Sequence, residues 1–215
     1  MDKRKISIMT AARLLFLAAL LVPHIACPAT AEPTGPLEQV RQTVEQVLTL
    51  LRDPPPSPEA RRQALTSTIR SRFDFQVMAQ GTLAQNWKTA TVEQRQRFSA
   101  LFADLLEASY LGRIEAYTDE RVEYAGEKTL GKRGIVDTVI VTSSSEIPIR
   151  YKLILNRDRW LVYDVVIEEV SLVRNYRSTY GEIIRTEGME ELLAKMEDKL
   201  KDLQSAREVN DALQR

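Results

Sequence analysis

The chain has 215 residues, with 30 Lys and Arg against 30 Asp and Glu, so its formal net charge is zero. That balance gives no broad electrostatic attraction to nucleic acid or to an anionic membrane surface. With one cysteine and one histidine in the whole chain, zinc sites of the usual ligand types and His-dependent catalytic triads have almost nothing to draw on.

At the N-terminus, Lys3, Arg4 and Lys5 precede an apolar run from Leu14 to Val22, and Ala29-Thr30-Ala31 supplies small residues in an A-x-A pattern. The pattern predicts an export signal over residues 1–31, cleaved near Ala31. The apolar run is short for a permanent span. An uncleaved anchor and lipidation at Cys27 are the competing readings, although His24 stands where a lipoprotein site normally has Leu. Cleavage removes both Cys27 and His24, so the expected mature chain has no disulfide and no imidazole. The leader holds four of the 30 basic residues and one of the 30 acidic ones, leaving 26 basic against 29 acidic. A domain of that size must be held by its core alone.

After a short linker, Leu37, Val40, Val44, Val47, Leu48 and Leu51 recur at spacings of three and four, which predicts an amphipathic helix ended by Pro54-Pro55-Pro56. Ser57 and Pro58 open the next helix as cap and first residue. Asp74 is placed to cap a third. Thr91 with Gln94 forms a capping-box pattern for a longer helix carrying Phe98, Leu101, Phe102, Leu105 and Leu106.

From Arg121 the period changes. Ile149, Tyr151, Leu153 and Leu155 alternate with Arg150 and Lys152, the pattern of a strand with one buried face. Strands are also expected over 135–142 and 160–167, with a weaker one over 121–124 and a tight hairpin at Asn156-Arg157-Asp158. Ser171 then caps a helix with Leu172, Tyr176, Tyr180 and Ile183 on one stripe. Gly188 interrupts it before a last helix marked by Met189, Leu192, Leu193, Met196, Leu200 and Leu203. Helices, a four-stranded antiparallel meander and helices again make an α+β domain over 32–203, with a solvated, charged tail over 204–215.

Two stretches carry a resemblance. FDFQVMAQGTLAQNWKTATVEQRQRF at 73–98, continuing into SALFADLLEASY, is followed at a distance by RWLVYDVVIEEVSLVRNYRSTYGEII at 159–184. The two blocks resemble the MlaC family of periplasmic phospholipid-binding proteins, also called the toluene-tolerance auxiliary family, across roughly Leu37 to Lys201. The resemblance implies an NTF2-like cone with an apolar pocket. Its cargo would be phospholipid, with no cofactor or metal. It further implies a periplasmic shuttle between an outer-membrane lipoprotein complex and an inner-membrane ABC transporter complex, touching membranes only through these partners and serving outer-membrane lipid asymmetry.

The residues expected to line the pocket are Phe73, Phe75, Met78, Trp87, Phe98, Phe102 and Leu105 from the helices. Val139, Val141, Ile149, Tyr151 and Leu153 are expected from the sheet, with Leu172 and Tyr176 from the following helix. For each of them the packed-core reading stays open. Asp164 with Tyr151 and Tyr163 has the composition of a proton-transfer site, so an enzyme acting on a small apolar substrate is an alternative, set against a structural hydrogen bond. A sterol- or hopanoid-like ligand and a ligand-free adaptor are others. Arg174 and Arg177 sit three apart, either to meet a phosphate or to form a solvated face paired with Glu168 or Glu182. The sequence departs from the family pattern, which commonly has Gly where Glu169 stands and Gly near Ala84, before Trp87. At Glu169 this points to a reshaped turn, or to modest strain if the backbone keeps a positive φ.

Overall fold

The computed structural model describes residues 34–116 and 121–213; the expected leader and its cleavage site lie outside them. Four helices come first: α1 (Pro36–Arg52), α2 (Pro58–Arg70), α3 (Phe75–Leu83) and the single turn α4 (Asn86–Thr89). The long α5 (Val92–Glu115) leads into strands β1 (Arg121–Leu130), β2 (Arg133–Val141), β3 (Glu146–Asn156), β4 (Arg159–Ile167) and β5 (Val170–Ser171). Helices α6 (Leu172–Glu187) and α7 (Met189–Leu213) complete the fold.

The predicted caps form as hydrogen bonds. Ser57 Oγ accepts from Ala60 N at 3.1 Å, Asp74 Oδ1 from Val77 N at 3.0 Å, and Ser171 Oγ from Arg174 N at 3.1 Å. Thr91 and Gln94 make the reciprocal capping box that starts α5. Gly188 ends α6 at φ 93°, a left-handed conformation that costs other residues more.

The sheet is a continuous antiparallel meander in the order β1-β2-β3-β4-β5. It has five strands where four were expected, because β5 is only two residues long and carries no periodicity of its own. Glu168 and Glu169, both at positive φ, fold the chain straight back so that Ser171 pairs with Val166 and caps α6. The turn therefore keeps the left-handed backbone at Glu169, φ 66°, rather than changing shape; Ala84 is likewise left-handed at φ 52°. Register shifts near Tyr124/Gly126 and Lys152/Leu153 bend the sheet.

Two cores divide the apolar residues. In the first, Phe98 and Phe102 of α5 meet Tyr180 of α6 and Leu192, Leu193 and Met196 of α7. Phe98 and Phe102 stack at 5.7 Å, and Tyr180 stands edge-on to Phe98 at 5.9 Å. The second lies on the concave sheet face, where Val136, Leu153, Trp160 and Val162 pack under Val40 of α1. Helix α1 approaches this closely because residue 134 is a glycine. A Cβ there would stand 3.0 Å from Pro36 Cβ and 3.2 Å from Trp160 Cζ3.

Helix α7 continues through most of the stretch where a solvated tail was expected. Its final turns are tied to the rest of the domain, with Arg207 Nη2 donating to Glu115 Oε2 at 2.8 Å and Arg62 Nη1 to Asp211 Oδ2 at 3.0 Å.

Candidate functional site: an apolar cavity beneath the first helix

Between α1, α2, the C-terminal half of α5 and the concave sheet face lies a cavity of about 490 Å³. That volume is in the range of small-molecule sites. Its floor is set by strand parity. Ile147, Ile149, Tyr151 and Leu153 of β3 all point into it, as does Ile140 of β2 opposite Ile147. On β4 the bulge at Tyr163 shifts the alternation, so Val162 and Val165 face the cavity together. The roof is the apolar stripe of α1. Val40 is buried against the sheet, whereas Val44, Val47, Leu48 and Leu51 run on over open space. The third wall comes from Ile69 of α2 and from Leu106, Tyr110 and Ile114 of α5.

Half of the expected pocket residues line this cavity: Phe73, Phe75, Met78, Ile149, Tyr151, Leu153 and Leu172. Phe98, Phe102 and Leu105 are instead buried in the helical core, with Trp87 and Tyr176 packed against it. Tyr176 meets the Phe102 ring edge-on at 5.3 Å, and Arg95 lies 5.5 Å from the Trp87 ring centroid. Val139 and Val141 lie on the convex face, because their neighbours Ile140 and Thr142 take the cavity-facing parity.

The contribution of α1 was missed at the sequence level, although its stripe was recognised as amphipathic. The available signal was a stripe longer than one contact surface covers. Tyr110 and Ile114 were missed for a different reason. The apolar residues of α5 are spread around the helix, and its N-terminal half serves the core while its C-terminal half walls the cavity.

Polar groups at the cavity are few and mostly engaged. Arg70 Nε donates to Glu107 Oε2 at 2.7 Å, and its Nη2 pairs with Asp104. Thr66 Oγ1 donates to Glu107 Oε1 at 2.9 Å. Arg113 lies over the Tyr110 ring, 5.7 Å from its centroid. Burial pushes the Tyr151 hydroxyl above the ordinary tyrosine range, partly offset by a hydrogen bond with Thr138.

Asp164 is not among the cavity walls. It is buried on the opposite side of β4, where it accepts hydrogen bonds from Lys152 Nζ at 2.8 Å, Ser171 Oγ at 2.8 Å and Val173 N at 3.2 Å. Those three partners use the carboxylate to join β3, β5 and α6. Tyr163 packs against the helical core rather than the cavity. Arg177 is spent on Gly81 O at 2.9 Å, and neither it nor Arg174 reaches the cavity. Among the described residues no group of three or more His, Cys, Asp and Glu side chains is gathered as a metal site, and no helix is long and apolar enough to cross a membrane.

Comparison with known proteins aligns with this geometry. The model of the family described as MlaC protein matches residues 41–198. The chain is 25% identical over 121 residues to the intermembrane phospholipid transport system binding protein MlaC of Haemophilus influenzae, over 54% of this chain and 56% of that protein. It thus spans about half the length of that curated relative. Among solved structures, a phospholipid-binding protein from Ralstonia solanacearum, determined in complex with a phospholipid, superposes with a TM-score of 0.71 at 21% identity. The superposition covers 79% of this chain and 99% of that one. At that identity the likeness is one of fold.

Proposed function

The chain belongs to the MlaC family, and from that premise we propose that it is a phospholipid carrier whose cavity encloses acyl chains. The observation that carries this reading is the apolar cavity itself, walled by aliphatic and aromatic side chains from β2, β3, β4, α1, α2 and α5. Burying a methylene is worth about 0.8 kcal/mol, so enclosing two acyl chains of around 30 methylenes would gross on the order of 20 kcal/mol. Non-covalent affinity saturates near that value. A complex of that strength releases little lipid into water, so unloading requires docking to proteins that open the cavity or compete for its contents.

In this reading the protein is exported, loses its leader near Ala31 and works in the periplasm. It moves phospholipid between an outer-membrane lipoprotein complex and an inner-membrane ABC transporter complex. Phe73, Phe75, Met78, Ile149, Tyr151, Leu153 and Leu172 contact the tails, together with the α1 stripe. The carrier performs no chemistry on its cargo, in keeping with an Asp164 turned away from the cavity and committed to three structural partners.

The test is native mass spectrometry of the purified mature protein, followed by organic extraction. The carrier reading expects stoichiometric phospholipid. A protein that arrives empty, and remains empty after incubation with phospholipid vesicles, overturns it.

A further inference from the structure

We infer that Arg72 is an anion-anchoring residue of the cavity, holding the phosphodiester of the bound lipid while the tails fill the apolar space; the inference rests on the carrier reading above. The local structure begins on α2. Leu65, Ile69 and Arg72 fall at i, i+4 and i+7, and Ser71 keeps a right-handed helical backbone, so the inner stripe of the helix runs on to Arg72. Both backbone groups of Arg72 are already used. Its N–H donates to Ile69 O at 2.9 Å, and its carbonyl accepts from Val162 N at 2.8 Å. The residue is thereby stitched between the end of α2 and β4, with its side chain on the cavity wall.

That side chain differs from its neighbours in its partners. Arg72 Nε is buried and has no hydrogen-bond partner, and among the described residues no carboxylate lies within ion-pair distance of the guanidinium, whereas Arg70 has two such partners. The two other arginines on the cavity wall differ: Arg70 is held by Asp104 and Glu107, and Arg113 lies over Tyr110. An unsatisfied donor on a charged group at an apolar wall is costly, and natural structures rarely leave one without a purpose. A guanidinium presents a planar fork of donors matched to phosphate or carboxylate oxygens. Supplying such oxygens from the cargo completes the site. Both a phospholipid phosphate and a fatty-acid carboxylate carry that chemistry; the phospholipid cargo of the carrier reading favours the phosphate.

The experiment uses the full-length mature protein as wild type, Arg72→Met and Arg72→Lys. Each is offered dioleoyl-phosphatidylglycerol vesicles, dioleoylglycerol and oleate in separate incubations. Retained lipid is quantified by mass spectrometry, and bound phosphate is followed by phosphorus NMR. Thermal unfolding checks that the variants are folded.

Arg72→Met is expected to retain phosphatidylglycerol about 10- to 100-fold less well, the range for losing a charge-assisted hydrogen bond. It should hold dioleoylglycerol as the wild type does, and Arg72→Lys should recover part of the loss. The bound-phosphate signal should shift between wild type and Arg72→Lys. Equal retention of phosphatidylglycerol by wild type and a folded Arg72→Met overturns the anchor while leaving the carrier intact. Arg72-dependent retention confined to oleate overturns the phosphate assignment in favour of a carboxylate. A wild-type protein that takes up none of the three defeats the carrier reading and the anchor with it.

Discussion

Lys152 Nζ donates to Asp164 Oδ2 at 2.8 Å across neighbouring strands, on the side of the sheet away from the cavity. With Ser171 and Val173 as its other donors, Asp164 locks β3, β4 and the start of α6 into one unit. Replacing it by Asn keeps the shape but removes the charge and forces an amide toward donors. Asp164→Asn is expected to lose about 2–3 kcal/mol, a fall in Tm of roughly 4–12 °C for a domain of this size. Lipid retained per folded molecule should not change. Loss of retention without loss of stability would place Asp164 in the lipid site instead of in this structural junction.

Parity on the sheet gives a sharper test of where cargo sits. Ile149 faces the cavity, whereas Val139 lies on the convex face, one residue out of phase with the cavity-facing Ile140. Ile149→Glu puts a carboxylate against the tails and should abolish lipid retention. Val139→Asp should leave retention intact. Mass spectrometry of both variants, after gel filtration confirms that they are folded, decides between the two faces.

The turn between β4 and β5 holds Glu168 at φ 48° and Glu169 at φ 66°. Paired left-handed residues in a two-residue hairpin favour Asn-Gly. Converting Glu168-Glu169 to Asn-Gly is therefore expected to stabilise the protein by about 1 kcal/mol, seen as a higher urea midpoint at unchanged m. A lower midpoint would mean that the glutamates make compensating contacts.

Burial raises the pKa of Tyr151, Tyr176 and Tyr180 above the ordinary tyrosine value. In the unfolded chain these phenols ionise near pH 10. The folded state therefore binds more protons than the unfolded one above that pH, and stability falls as pH rises. Their contribution is full below about pH 10 and is lost as pH climbs through the raised folded values. Urea midpoints measured from neutral to strongly alkaline pH should be flat and then decline, with a shallower decline in Tyr151→Phe. Lipid loading should delay tyrosinate absorbance further, because cargo removes the remaining water from Tyr151.

Gly134 lets Pro36 and Trp160 meet over the sheet. Gly134→Val has no room for its side chain and should displace the first turn of α1, the fixed end of the cavity roof. The expected cost is about 1–3 kcal/mol from overpacking, together with faster lipid loss in a dilution assay. Unchanged lipid off-rate would mean that the first turn of α1 does not control how lipid leaves.

Local chemistry determined much of this protein directly from its sequence. Ser57, Asp74, Thr91 with Gln94, and Ser171 cap helices because their side chains satisfy amides a few residues away, an interaction that needs no tertiary context. Alternation on β3 assigned Ile149, Tyr151 and Leu153 to one face, since charged neighbours marked the other. On β2 the same reasoning had no purchase. Ile135, Val136, Val139, Ile140 and Val141 are apolar on both faces, so only pairing with β3 could assign Ile140 to the cavity and Val139 to the convex side. Which apolar side chains fill a core and which surround a cavity is likewise a property of packing. Phe98 and Phe102 find α6 and α7 to fill the space beside them, whereas Leu48 and Leu51, on an equally regular helical stripe, line the cavity. Periodicity reports that a face is apolar; only the distance to the opposing surface decides whether anything is left to bind.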